Sequence, residues 1–178
     1  RAPWFEVSCC PTNVARTFAS LGAYLATTSE SGVQLHQYAS STIVAPLDFG
    51  RVRLQVQTDY PADGAIVMTI DESPTDEWEL QLRIPSWGVG ATVDVGGETK
   101  PAPPGTFTIR RSDVVRLALP MAPRVTYPDT RVDAVRGTVA VERGPLVYCL
   151  ESVSLPEGAH VDQFICQQES VPATARKE

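Results

Sequence analysis

Apolar residues change their period once along this chain, near residue 28. From Pro11 to Leu25 the pattern is helical: Val14, Phe18, Leu21 and Leu25 fall at i, i+4, i+7 and i+11, on one face. Pro11 suits the first helical position, where its missing N–H is not needed. Ala15, Ala19, Gly22 and Ala23 leave room for a close helical neighbour. The polar run from Thr27 to Gly32 is expected to end the helix in a loop.

Beyond that run the period is two. Val33-Gln34-Leu35 opens a strand. Val52, Leu54 and Val56 alternate with Arg51, Arg53, Gln55 and Gln57, and Ile66, Met68 and Ile70 alternate with Val67 and Thr69. Trp78, Leu80, Leu82 and Ile84 alternate with Glu79, Gln81 and Arg83. Val93 and Val95 run into Gly96-Gly97, a hairpin signal. Phe107 and Ile109, then Val115, Leu117 and Leu119, continue the series between turns rich in proline and glycine. Short strands apolar on one face predict an antiparallel β-sandwich over residues 33 to 120, with Trp78, Leu80, Leu82, Val115, Leu117 and Leu119 inward. Met121 to Asp133 is less regular and joins further strands at Val139, Val141 and Leu146 to Tyr148, around Arg143-Gly144-Pro145. The tail from Ser170 is polar and is expected to fray. The fold class is therefore mainly β, one or more sandwiches preceded by one helix. A solitary helix of this length is marginal, so it packs on the sheet or belongs to a helical domain outside the chain.

Charge narrows the function. With 178 residues and a net charge of -6 there is no basic footprint for nucleic acid. No apolar run approaches the roughly 20 residues of a membrane span. Arg1-Ala2-Pro3-Trp4 opens no signal peptide, and the missing initiator Met suits a chain cut from something longer. Cys9, Cys10, Cys149 and Cys166 are too few for a disulfide scaffold, and adjacent cysteines bridge only under strain. Reduced thiols, buried or metal-bound, are the reading. The compartment stays open, leaning to the cytoplasm.

Cys9-Cys10-Pro11 sits at the helix start, where N–H groups and the dipole stabilise a thiolate. Two neighbouring thiolates are soft ligands for zinc, yet they supply two of the usual four. On spacing alone the pair reads as two small buried residues.

Trp4-Phe5-Glu6-Val7-Ser8-Cys9-Cys10-Pro11-Thr12-Asn13-Val14-Ala15-Arg16 resembles the C-C-P-x-N-x-x-R segment of the family-127 glycoside hydrolases, the β-L-arabinofuranosidases and their relatives. The similarity continues through Gln57-Thr58-Asp59-Tyr60-Pro61, Leu82-Arg83-Ile84-Pro85-Ser86-Trp87, and Gly137 to Glu151. The resemblance implies an (α/α)6 barrel followed by β-sandwich domains. It further implies a zinc ion bound by three cysteines and a glutamate, a cysteine nucleophile forming a thioglycosyl intermediate, and a separate glutamate acid/base. By position Cys9 is nucleophile and ligand, and Cys10 a ligand. Residues 1–28 then end the catalytic barrel, 29–128 form a sandwich, and 129–178 belong to a second one. The remaining ligands and the acid/base lie upstream of the pair, outside the chain, and Glu6 takes none of these roles. The expected function is the C-terminal part of a retaining glycoside hydrolase acting on β-L-arabinofuranosides or related sugars, with an arabinose-containing oligosaccharide or glycan as partner. This chain alone is expected to be inactive. The alternative is a non-catalytic module that supports a catalytic domain or binds glycan.

Other residues take plainer readings. Trp78 is core, and Trp87 packs a sandwich edge; with Trp4 they would otherwise make a sugar platform. His36 is a satisfied or solvent-facing strand histidine. Arg16 makes a structural ion pair or reaches the sugar. Cys149 is a buried small hydrophobe. Glu142 and Arg143 form a solvated face. Asp71, Glu72, Asp76 and Glu77 form a solvated loop rather than a calcium site.

Overall fold

In this computed structural model the described residues are 9–73, 77–110 and 112–165. Trp4, Glu6, Asp76, Cys166 and the tail from Ser170 lie outside them. Helix α1 spans Cys9–Ala19, and a 3₁₀ turn follows at Leu21–Tyr24, so the helical stretch is split before Leu25. The expected loop after it is instead a hairpin: β1, Ala26–Ser29, pairs antiparallel with β2, Gly32–Leu35. No alternation announced β1, because Thr27, Thr28 and Ser29 are all exposed.

Ten strands follow in the order the period implied, with additions. They are β3 Ser41–Leu47, β4 Gly50–Thr58, β5 Ala65–Glu72, β6 Glu79–Ile84, β7 Thr92–Val95, β8 Glu98–Pro101, β9 Gly105–Ile109, β10 Val114–Ala118, β11 Pro123–Thr126 and β12 Ala140–Arg143, before a last one, β13 Leu146–Tyr148. One sheet runs β1-β2-β6-β9 and a second runs β3-β4-β5-β10-β7-β8. Val33, Leu35, Leu80, Leu82 and Ile84 of the first meet Val52, Leu54, Ile66, Met68, Val93, Val115 and Leu117 of the second in one buried core. That core makes the expected two-layer sandwich, and each of the six residues assigned inward is at most 6% exposed. Gly96 and Gly97 both take positive φ in the β7–β8 turn, as a tight hairpin with a type I′ geometry needs.

The sandwich has one parallel pair, β2 with β6. Gly32 lies opposite Glu79 there, and a Cβ on Gly32 would stand 2.0 Å from the Glu79 carbonyl oxygen. The approach requires glycine. Tyr38, six per cent exposed, donates its hydroxyl to the Arg83 carbonyl at 2.8 Å and meets Tyr60 edge to face, 6.1 Å between ring centroids. Burial pushes the Tyr38 hydroxyl well above the ordinary phenol range and raises Tyr60 as well.

Residues up to Leu119 form one compact unit and those from Pro120 a second. In the second unit β11, β12 and β13 make an antiparallel sheet, and β11 falls inside the stretch expected to be irregular. Glu142 is not merely solvated. It pairs with Arg124 at 2.8 Å and accepts the Thr126 hydroxyl at 2.8 Å, tying β12 to β11. Arg143 is half-buried. On the sheet's other face stand Val125, Val141, Tyr148 and Leu146. Cys149, expected to be buried, is exposed, because β13 is an edge strand whose three residues are all exposed.

Candidate functional site

The two adjacent thiols open α1, one behind the other on successive helical positions. Their sulfurs lie 3.7 Å apart, and both residues are exposed free thiols. Nothing among the described residues buries them. The separation fits a shared metal. Two sulfurs each about 2.3 Å from zinc at a tetrahedral angle stand about 3.8 Å apart. Among the described residues no group of three or more His, Cys, Asp or Glu side chains converges. The pair therefore matches half of a zinc donor set.

The two cysteines face different ways. At 3.6 residues per turn Cys9 shares its stripe with Asn13 and Arg16, four and seven positions on. Cys10 precedes Val14 and Phe18 by four and eight positions and so flanks the apolar face. That face is open: Val14, Phe18 and Leu21 are 53%, 71% and 49% exposed, and α1 buries no residue. The Thr12 hydroxyl donates to the Cys9 carbonyl at 2.9 Å, and Arg16 Nη1 donates to Asn13 Oδ1 at 3.0 Å. The expected carboxylate partner of Arg16 is thus an amide. Asn13 had no role in the sequence reading, although its spacing of three from Arg16 is the signal for such a pair.

The helix exit is tied to the sandwich. The Leu25 carbonyl accepts the His36 and Gln37 N–H groups, at 2.9 and 3.3 Å, and His36 Nε2 lies 2.7 Å from the Thr27 hydroxyl. His36 lies just past the end of β2 rather than in a strand, is satisfied by Thr27, and belongs to no metal-binding group among the described residues. Trp78 is core, and Trp87 is half-buried against it, so neither is an open stacking platform. Asp71 and Glu72 are engaged by Arg53, Gln55 and Arg51 in ion pairs and hydrogen bonds rather than converging on one point. Among the described residues no helix is long and apolar enough to cross a membrane.

With that geometry in place, comparison with known proteins is informative. The family pattern "Beta-L-arabinofuranosidase, GH127 middle domain" matches residues 32–121, and the glycoside hydrolase family 127 C-terminal domain matches residues 123–176. A non-reducing end β-L-arabinofuranosidase from Bifidobacterium longum subsp. longum is 35% identical and covers 88% of this chain. The chain spans about a quarter of that relative's length, 25%. Among solved structures a glycoside hydrolase superposes with a TM-score of 0.81 at 30% identity, over 91% of this chain and 29% of its own. A GH127 β-L-arabinofuranosidase from Geobacillus stearothermophilus T6 gives a TM-score of 0.77 at 36% identity, over 84% of this chain and 25% of its own.

Proposed function

The chain belongs to glycoside hydrolase family 127, and on that premise we propose that the intact protein hydrolyses β-L-arabinofuranosides or closely related glycosides, with Cys9 and Cys10 in its catalytic centre. The observation that carries the reading is the match to both family domains in succession, residues 32–121 and then 123–176. The 3.7 Å sulfur separation supports the metal part of it.

Cys9 and Cys10 are the zinc ligands of this chain, and zinc supplies the chemistry of keeping a thiol deprotonated and fixed at neutral pH. Cys9 is the nucleophile. Its sulfur forms a bond to the anomeric carbon as the glycosidic C–O bond breaks, and a carboxylic acid outside this chain protonates the departing oxygen. Water then displaces the sulfur, giving up its proton to the same carboxylate. Two inversions at one carbon retain the configuration. The carboxylate spacing that usually separates retaining from inverting enzymes does not apply, since sulfur replaces one carboxylate. Low basicity accompanies easy ionisation, so the sulfur's placement has to offset a weaker intrinsic attack.

Cys10 would hold the metal without taking part in the attack, and its place beside the apolar face supports that difference in role. Helix α1, which buries none of its own residues, closes a catalytic helical barrel supplied upstream. The strands up to Leu119 form the supporting sandwich, and those from Pro120, β11 to β13, contribute to a second unit. The second reading is a non-catalytic module that supports a catalytic domain or binds glycan, in keeping with a core that lies wholly in the sandwich strands and their connections.

One experiment separates the two. A sugar electrophile based on arabinofuranose is reacted with the intact polypeptide and the labelled peptide identified by mass spectrometry. Label on Cys9 is expected. Label on Cys10 or on a carboxylate overturns the nucleophile, and an intact protein that neither labels nor hydrolyses an aryl L-arabinofuranoside is the non-catalytic module.

A further inference from the structure

The stripe that carries Cys9 also carries a cation whose partner is neutral. Cys9, Asn13 and Arg16 are spaced i, i+4 and i+7 on α1, and all three are exposed. Arg16 Nη1 donates to Asn13 Oδ1 at 3.0 Å. Among the described residues that bond is its side chain's partner; no carboxylate pairs with it. Long helical side chains lean toward the helix N-terminus, and this bond fixes the lean. The guanidinium is held at the level of Asn13, about 6 Å along the axis from Cys9 at 1.5 Å per residue.

The choice of amide has a physical consequence. A carboxylate would neutralise the guanidinium and occupy two of its donors. The Asn13 carbonyl oxygen takes one N–H of five and leaves the charge and the remaining fork free on the nucleophile's stripe. A fixed, multiply donating plane suits neutral oxygen acceptors with vicinal spacing, as sugar hydroxyls have.

We propose that Arg16 donates hydrogen bonds to a ring hydroxyl of the sugar whose anomeric carbon Cys9 attacks, and that Asn13 is its positioning residue. The inference rests on the reading of Cys9 as nucleophile, because that places the sugar over this stripe. Arg16 thereby sets which glycone is accepted, since a site built to bond a hydroxyl rejects the analogue lacking it.

The test uses the intact polypeptide. The value of kcat/KM is measured for an aryl L-arabinofuranoside and for analogues each lacking one hydroxyl, in wild type, Arg16→Met, Arg16→Lys and Asn13→Ala. Arg16→Met is expected to lower kcat/KM for the parent substrate by about 10- to 100-fold. For one deoxy analogue the same substitution has little further effect, because the bond is already gone. Arg16→Lys and Asn13→Ala fall between, with the same hydroxyl dependence, and Asn13→Ala carries the test if Arg16→Met does not fold. Losses that are equal for every analogue make the pair purely structural and overturn the proposal, as does an unchanged rate in Arg16→Met. A wild type that labels at Cys9 but shows such uniform losses sinks this inference alone. A wild type without activity removes the functional reading and this inference together.

Discussion

Replacing Tyr38 by Phe should remove a stabilising hydrogen bond at neutral pH and, at alkaline pH, remove a liability. The Tyr38 hydroxyl is buried in the sandwich and donates to the Arg83 carbonyl at 2.8 Å. Its loss leaves that carbonyl without this partner, a cost of about 1 kcal/mol near pH 7. Burial also raises the Tyr38 pKa above its ordinary 10.0, with the Tyr60 ring beside it pushing the same way and Arg83 opposing. A raised acid is neutral in the fold but ionises in the unfolded chain. Its contribution is therefore whole below pH 10 and is lost as pH climbs above it. The loss is about 1.4 kcal/mol per pH unit per group once the unfolded phenol is ionised. The advantage of Tyr over Phe should thus shrink from about 1 kcal/mol at pH 7 to about zero near pH 11. Urea unfolding of both proteins at a series of pH values measures it, and taking their difference cancels the titrating groups that do not interact with Tyr38. A difference that stays constant from pH 8 to pH 11.5 would show that the hydroxyl is not buried as described, and the reasoning would fail.

Three further outcomes are expected. Gly32→Ala should cost about 3 kcal/mol, because its Cβ would meet the Glu79 backbone in the parallel pair; a urea midpoint close to wild type would refute the close approach. Amides of α1 in the 178-residue chain should exchange far faster than those of β4, β6 and β10, since the helix buries nothing; equal protection by hydrogen-exchange mass spectrometry would contradict this. In the intact enzyme Cys9→Ser should lower kcat on the order of 10⁴-fold or more, whereas Cys10→Ser should lower zinc content and regain part of its rate with added zinc. Two serine variants with near-normal rates would mean that neither thiol takes part in the chemistry.

How much of this was legible before the structure depends on where each strand sits. β4, β6 and β10 are interior strands with one face buried, so Val52-Leu54-Val56, Leu80-Leu82 and Val115-Leu117 carry the period openly. β3 lies at the edge of its sheet with Ala45 as its one buried residue, so it has little alternation to read, and it contains Pro46, which an edge tolerates. β1 has no buried residue and hence no alternation to read; it is a strand because β2 offers it a partner. Cys149 was misjudged because an apolar neighbourhood in sequence was equated with burial, and Leu146-Val147-Tyr148 turned out to be exposed throughout. The site divides the same way. The Cys9-Cys10 pair was visible only through its resemblance to a family, because two thiols carry no spacing code of their own. The bond between Asn13 and Arg16 followed from helical geometry and was overlooked because a cation was expected to seek a carboxylate.

The two ends of α1 are held by different means, and this bears on how a sandwich can serve a distant reaction. At the exit, the Leu25 carbonyl binds two N–H groups at the end of β2, and Thr27 bonds His36. Those bonds anchor the chain at Leu25, six residues past the end of α1 and beyond the 3₁₀ turn. At the other end the thiols stand on exposed residues with an apolar flank beside them. Position at the thiols is then set by whatever covers Val14 and Phe18, since α1 itself buries no residue. A tilt at the exit is amplified along the helix: one degree over a helix of about 16 Å moves the far end about 0.3 Å. Misplacing a reacting atom by about 1 Å can cost a hundredfold in rate, so under the proposed function the sandwich would act on the rate through where it holds the chain that leads from the thiols. Core substitutions such as Leu82→Ala should therefore lower kcat in the intact enzyme only to the extent that they loosen β2, the strand to which Leu82 pairs through Leu35.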